Sequence, residues 1–324
     1  RGNQTITGVN VFLNKIDAGL ESSYDKGKKL YYSYFINEVT EYELLGGGHT
    51  PIIRPLKFRQ KPLPLFLEGL VHYLRVADTQ KEAREIFPAV RKSPLYDKEL
   101  KMYKVTAPLG SMPEEIGRCR VFTPGWLENE SIWLHMEYKY ILELLKNGLY
   151  EEFFEDFKQV LIPFQDPGRY GRSILENSSF LVSSVFADKR LWGNGFVARL
   201  SGSTAEFISI WLLMCLGKEP FYLDSEKKLC LEFKPILPGW LFSQKAELGF
   251  PKNTFAFKFF GKTLVVYHNP KRKDTFGHSG GKIKAITITS CDKTKITLKS
   301  PIIESPLAND IREGNVEQID IALA

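Results

Sequence analysis

The sequence predicts a mainly α-helical chain that ends in an antiparallel β domain, and three observations carry that expectation. From about residue 60 to residue 220, apolar residues recur at helical spacing. Gly148 follows Lys146-Asn147, which end one such segment, and Leu149 restarts the next at once, as in an antiparallel helix pair. After residue 221 the pattern changes to short β-branched and aromatic runs separated by turn residues. The expected domains are therefore residues 1–220 and 221–324.

Taken in order, the first 45 residues are the least patterned: 9–22 has helical spacing, and 30–42 is rich in Tyr and Phe. The clearest helices are expected over 63–76, 80–90, 131–147, 149–161 and 203–216. Helices joined as tightly as at Gly148 belong to bundles, solenoids or toroids, and no repeat of roughly 33 to 45 residues supports a solenoid. Between the helices lie connections at 46–62, 93–126 and 162–200, rich in Pro, Gly and charge; connections longer than about 15 residues are commonly functional. Strands are expected over 255–260, 263–267, 283–289 and 295–298, with Gly261-Lys262, 277–281 and Asp292-Lys293 as their turns. Residues 302–324 are weakly patterned and acidic, and read as a frayed tail.

With 324 residues, 43% of them hydrophobic, the chain can bury a sizeable core. Its longest apolar run, 207–216, is too short for a bilayer core of roughly 30 Å, and no leader precedes it. A soluble, cytoplasmic protein without membrane contact is expected. Cys119, Cys215, Cys230 and Cys291 are scattered, which indicates free thiols rather than a disulfide framework or a zinc site. The five histidines show no paired ligand spacing, so neither a metal nor a cofactor is expected. Gly46-Gly47-Gly48 lacks the Lys-Ser or Lys-Thr of a nucleotide loop and reads as a turn. The net charge is +6, and residues 252–299 hold eleven Lys or Arg against two acids. Those lysines alternate with Ile283, Ile286, Ile288, Ile296 and Leu298, as on the wet face of a sheet, and no nucleic-acid partner is expected.

The stretch from Glu128 to His135 sets a carboxylate, an amide, an indole and an imidazole where a loop becomes a helix. On that helix Ser131, His135, Tyr138 and Leu142 share a face. A histidine beside an apolar stripe is often just a satisfied core residue. A second cluster, Arg199 to Glu206, again places small hydroxyl residues and a glycine before an apolar helix. Free backbone N–H groups at such a helix start bind anions, although helix capping alone also explains the composition. The long connections add Trp126, Trp133 and Trp192, carboxylates and arginines. That mixture suits sugars, whose hydroxyls need polar partners and whose C–H faces need aromatic cover.

Glu128-Asn129-x-x-Ile132-x-x-His135 resembles the E-N-G-G-I-x-x-H segment of the inverting cellobiose and chitobiose phosphorylases of glycoside hydrolase family 94. Leu200-Ser201-Gly202-Ser203 resembles their L-T-G-T segment, in the same order, and the resemblance spans roughly residues 120 to 290. It implies part of an (α/α)6 toroid followed by an antiparallel β domain. It also implies cleavage of a β-glucosidic bond by inorganic phosphate, with no cofactor. Phosphate is itself the nucleophile there, so one proton donor suffices. Carried over, His135, Ser201, Gly202 and Ser203 would hold phosphate, and Trp126, Glu128, Asn129, Glu176 and Asn177 would contact the sugar. Glu130-Ser131 stands where the family has two glycines, which adds a charge beside the implied anion site. The family's acidic W-N-D-like segment is not found, so the general acid is expected outside this chain, with Glu128, Glu130 and Glu176 as alternatives. The clear helices are too few to close a toroid, and the chain starts at Arg1. An N-terminal remainder of the same protein, or a homo-oligomer, is expected to complete it. Two other readings stay open. One is an inverting hydrolase, which needs two carboxylates roughly 6.5 to 9.5 Å apart; the other is a non-catalytic carbohydrate-binding module.

Overall fold

The computed structural model describes residues 2–46, 49–197 and 201–324, and the side chains of residues 2–4 and of Ser201 lie outside the description. The chain divides into two compact units, residues 1–207 and 208–324. The division falls inside a helix rather than at the expected 220/221.

In chain order the first unit holds α1 (Gly2–Ser23), β1 (Tyr24–Asp25), β2 (Leu30–Tyr31), β3 (Phe35–Gly46), β4 (Ile52–Pro62), α2 (Leu67–Val76), α3 (Gln80–Lys92), β5 (Tyr96–Asp97), β6 (Met102–Tyr103), α4 (Arg118–Val121), β7 (Ile132–Trp133), α5 (Leu134–Lys146), α6 (Tyr150–Val160), α7 (Pro167–Tyr170), β8 (Phe180–Leu181), β9 (Gly195–Phe196) and the start of α8 (Ser201–Leu216). Its core forms around α5, which packs against α2 and α6. Leu67, Leu70, Val71 and Leu74 of α2, Tyr138, Ile141, Leu142 and Leu145 of α5, and Phe153, Phe157 and Val160 of α6 are buried at helical spacing. Each such side chain contributes about 1.5–3 kcal/mol by leaving water. Gly148, at φ 73°, turns α5 into α6. That turn is tied to α3, because Gln80 Nε2 donates to the Asn147 and Gly148 carbonyls at 3.2 and 2.9 Å. A capping box of Thr79 and Glu82 starts α3.

Charged groups are built into this core. Glu137 on α5 is fully buried; one carboxyl oxygen accepts the Tyr103 N–H at 2.8 Å and the other has no partner. Burial pushes this carboxyl well above its ordinary 4.5, and the Tyr103 N–H only opposes the shift. The folded state therefore keeps a proton that the unfolded chain gives up above about pH 4.5, so this group's contribution to stability falls as pH rises through that window. Glu137→Gln should raise the Tm at neutral pH and flatten its decline from pH 5 to 8, as followed by circular dichroism. A variant with the wild-type slope would show that Glu137 does not titrate there.

In the second unit, after α8, come β10 (Phe221–Leu223), β11 (Leu229–Glu232), β12 (Thr254–Phe259), β13 (Thr263–His268), β14 (Ile283–Ser290), β15 (Lys295–Leu298), β16 (Ile302–Glu304), α9 (Leu307–Glu313) and β17 (Val316–Leu323). The main sheet has the order β12-β13-β17-β14-β15, and a smaller one the order β10-β11-β16. The expected strands form close to where the sequence puts them, but the sheet is mixed rather than antiparallel. β17 sits at its centre, parallel to β13 and antiparallel to β14. The acidic tail is thus not frayed: it supplies β16, α9 and β17. Two of its acids have partners there, Glu317 pairing with Lys293 in the turn between β14 and β15 and Asp320 meeting the His268 ring at 2.8 Å. Ile286 and Ile288 are buried, whereas Lys282, Lys284, Lys293, Lys295 and Lys299 are exposed.

The expectation of part of an (α/α)6 toroid followed by an antiparallel β domain is corrected. Among the described residues nine α-helices, two of them single turns, are interleaved with strands in six sheets. The reason lies in the connections, whose Gly, Pro and β-branched residues pair as β4, β5–β6 and β8–β9 instead of extending a ring of helices.

Candidate functional site

The loop before α5 is fixed by tight backbone geometry. Gly125 has φ 87°, and a Cβ there would lie 2.6 Å from the Phe186 backbone nitrogen, so only glycine fits. Its N–H donates to the Asn129 carbonyl at 2.8 Å, and Asn129 Nδ2 donates to the Phe122 carbonyl at 2.6 Å. Glu130 adopts φ 57°, the left-handed conformation that a glycine would take without strain. That turn carries its carboxylate inward, to Lys104 Nζ at 2.9 Å, while its N–H donates to Thr106 Oγ1 at 3.0 Å. Both members of this ion pair are buried. The charge expected beside an anion is therefore spent on Lys104.

After that turn β7 pairs with β8 and runs straight into α5. His135 thus stands in the first turn of α5, with the Trp133 indole edge-on to its ring at 5.6 Å between centroids. Gly202, in the first turn of α8, lies against the imidazole: a Cβ there would sit 2.5 Å from Nδ1. His135 Nε2 lies 3.6 Å from Glu206 Oε1, just beyond hydrogen-bond reach. Burial, with the Lys139 charge beside it, lowers the His135 pKa below its ordinary 6.5 in spite of Glu206, so the ring is neutral at neutral pH.

Ser203 is buried and its hydroxyl donates to the Ser178 carbonyl at 3.4 Å. The same short segment holds Asn177, whose Oδ1 accepts the Tyr138 hydroxyl at 3.0 Å, and Ser179, whose carbonyl accepts the Leu134 N–H. Residues 177–179 therefore hold the start of α5 against the start of α8. Glu176 points elsewhere, to Arg172 at 2.6 Å.

Trp133 also lines a cavity of about 620 Å³. Tyr34, Phe66 and Trp133 supply aromatic walls, and Glu68, Glu115 and Glu128 supply carboxylates. Its volume falls in the usual range for small-molecule sites. Glu128 is held by Arg118 at 2.6 Å. Trp126 is not on this wall; it stacks on Phe196 at 3.8 Å and 2° between ring planes.

The structure thus brings together His135, Gly202, Ser203 and, through Tyr138 of α5, Asn177. It places Glu128 in the neighbouring cavity and sets Trp126, Asn129, Glu130 and Glu176 into packing or ion pairs. Arg199 and Leu200, and the Ser201 side chain, lie outside the described residues. Sequence reasoning missed Lys139, one helical turn after His135 on the same face, and the carboxylates Glu68 and Glu115, which reach the cavity from elements remote in sequence. Among the described residues no group of three or more His, Cys, Asp or Glu is placed to hold a metal ion, and no helix is long and apolar enough to cross a membrane. No protein-family model and no curated protein matches this chain.

Proposed function

We propose that this protein acts on β-glucosides with inorganic phosphate, as a glycoside phosphorylase does, holding the anion beside His135 and the start of α8 and the sugar in the cavity that Trp133 lines. The observation that carries this reading is the packing of His135 on Gly202, which joins the two segments that resemble the phosphate-binding elements of that family. Its chemistry suits the task. A neutral imidazole has an N–H to give a phosphate oxygen, Lys139 adds positive charge against the Glu206 carboxylate 3.6 Å from Nε2, and the positive end of the dipole of the 16-residue α8 lies at the same place. Of the three carboxylates singled out in the sequence, Glu128 alone lines the cavity, where it serves as a sugar contact.

The test is phosphate release from α-glucose 1-phosphate with β-gluco-oligosaccharide acceptors. Full-length wild-type protein, which would supply the general acid expected outside this chain, should release phosphate, and His135→Ala should lower the rate by about 10²–10³-fold, the usual cost of removing a preorganised donor from a developing charge. Glu128→Gln should weaken acceptor binding more than it slows turnover. Release unchanged in His135→Ala would overturn the phosphate assignment. A second reading, carbohydrate binding without turnover, draws support from the ion pairs that occupy Glu128 and Glu176. Saccharide binding by wild-type protein with no phosphate release would favour it.

A further inference from the structure

β3 and β4 form a two-stranded antiparallel ribbon that the first unit leaves largely in water. Its register holds three irregularities, of which the last, between Leu44 and Gly46, lies at the end of the ribbon and the first two compensate each other. One extra residue in β3, Thr40, falls between the pairs Val39–Phe58 and Glu41–Lys57, and one in β4, Leu56, falls between Glu41–Lys57 and Tyr42–Pro55. Each bulge alone would turn the following side chains over; together they restore the alternation. As a result Glu38–Arg59, Glu41–Lys57 and Glu43–Arg54 all lie on one face, as ion pairs of 2.7, 2.8 and 3.1 Å. The opposite face carries Val39, Tyr42, Leu44, Ile53 and Phe58 and no charge at a paired position between Val39 and Leu44. Tyr42, Leu44, Ile53 and Phe58 are 57, 64, 43 and 55% exposed.

We propose that this uncharged face is a dimerisation surface whose occupant is the same face of a second copy, stacked sheet on sheet with β3 of one copy over β4 of the other. Such a ribbon is marginal in water unless its apolar face is covered. The exposed apolar side chains, with the stems of flanking residues, offer on the order of 600 Å² per copy, the lower end of what specific interfaces bury. Charge selects the face-to-face arrangement of two copies over an edge-to-edge one. β3 carries the acids and β4 the bases, so a two-fold pairing edge to edge would set acid beside acid or base beside base. Stacking through the uncharged faces leaves every ion pair facing water. It also places the acidic strand of each copy over the basic strand of the other, at opposite rims of the interface.

Sedimentation velocity of the whole chain across a concentration series tests this. The expected result is a monomer–dimer equilibrium with a midpoint of about 1–100 µM, as fits a small interface. In Leu44→Ser/Phe58→Ser that midpoint should move at least about tenfold higher, with far-UV circular dichroism and Tm unchanged. Arg59→Ala, on the ionic face, should leave it within about twofold. A chain monomeric throughout, a dimer that the double variant leaves intact, or assemblies that grow past the dimer would each overturn the proposal. So would capture by phosphatidylcholine vesicles without self-association, which would assign the face to a lipid surface.

Discussion

Asp156→Ala should destabilise the first unit by about 3–5 kcal/mol, the usual penalty for removing one partner of a buried ion pair. Asp156 on α6 is buried and accepts hydrogen bonds from the Tyr103 hydroxyl and from Arg91 on α3. Burial holds its pKa above the ordinary 3.8, and those two donors only partly offset the shift. Removing the carboxylate strands both. The Arg91 guanidinium cannot simply turn to water, because it lies over the rings of Phe87 and Tyr96, 4.3 and 5.5 Å from their centroids. Its second partner, Glu155, is exposed and replaces little of the loss. Asp156→Asn keeps an acceptor for Tyr103 and should lose about half as much. Urea unfolding followed by circular dichroism measures both. A loss below about 1 kcal/mol for the alanine variant would mean that the pair behaves as a surface one.

Gly239→Ala should cost the second unit about 3 kcal/mol or more by overpacking. A Cβ at this buried position would lie 1.9 Å from the Arg272 carbonyl oxygen and 2.8 Å from its carbon, both backbone atoms that no rotamer change can move. The two strands of chain that meet here are stitched together on either side. Gly239 N–H donates to Asp274 Oδ1 at 2.7 Å, Leu237 N–H to Thr275 Oγ1 at 2.8 Å, and Thr275 Oγ1 to the Pro235 carbonyl at 2.6 Å. A methyl group would force the segments apart and break these bonds together. Gly110→Ala is the control, since nothing lies within 4 Å of its Cβ position, and it should leave the urea midpoint unchanged. Equal midpoints for the two variants would sink the account.

The elements legible in the sequence are those whose signal is local. Gly148 and the apolar stripe of α5 placed the α5–α6 hairpin to within three residues at each end, and the glycine and Asp-Lys turns marked the hairpins β12–β13 and β14–β15. What escaped depends on partners far along the chain. Strands β7, β8 and β9 are two residues each and exist only by pairing with one another across long connections. The ribbon was hidden because Thr40 and Leu56 break the alternation that would announce it. β17 was hidden because Glu317 and Asp320, read alone, suggest a solvated tail, whereas they face Lys293 and His268. At the candidate site the two motif segments were legible as residues, but the direction of Glu130 was not. Its charge suggested an anion's neighbour, and its left-handed backbone turns it to Lys104 instead.

The central position of β17 also sets an order of events during synthesis. β12–β13 and β14–β15 leave the ribosome first and can each close as a hairpin, yet each then waits with an unpaired inner edge for residues 316–323 to slot between them. For that interval the nascent second unit carries two open, apolar strand edges, which are templates for pairing with neighbouring chains.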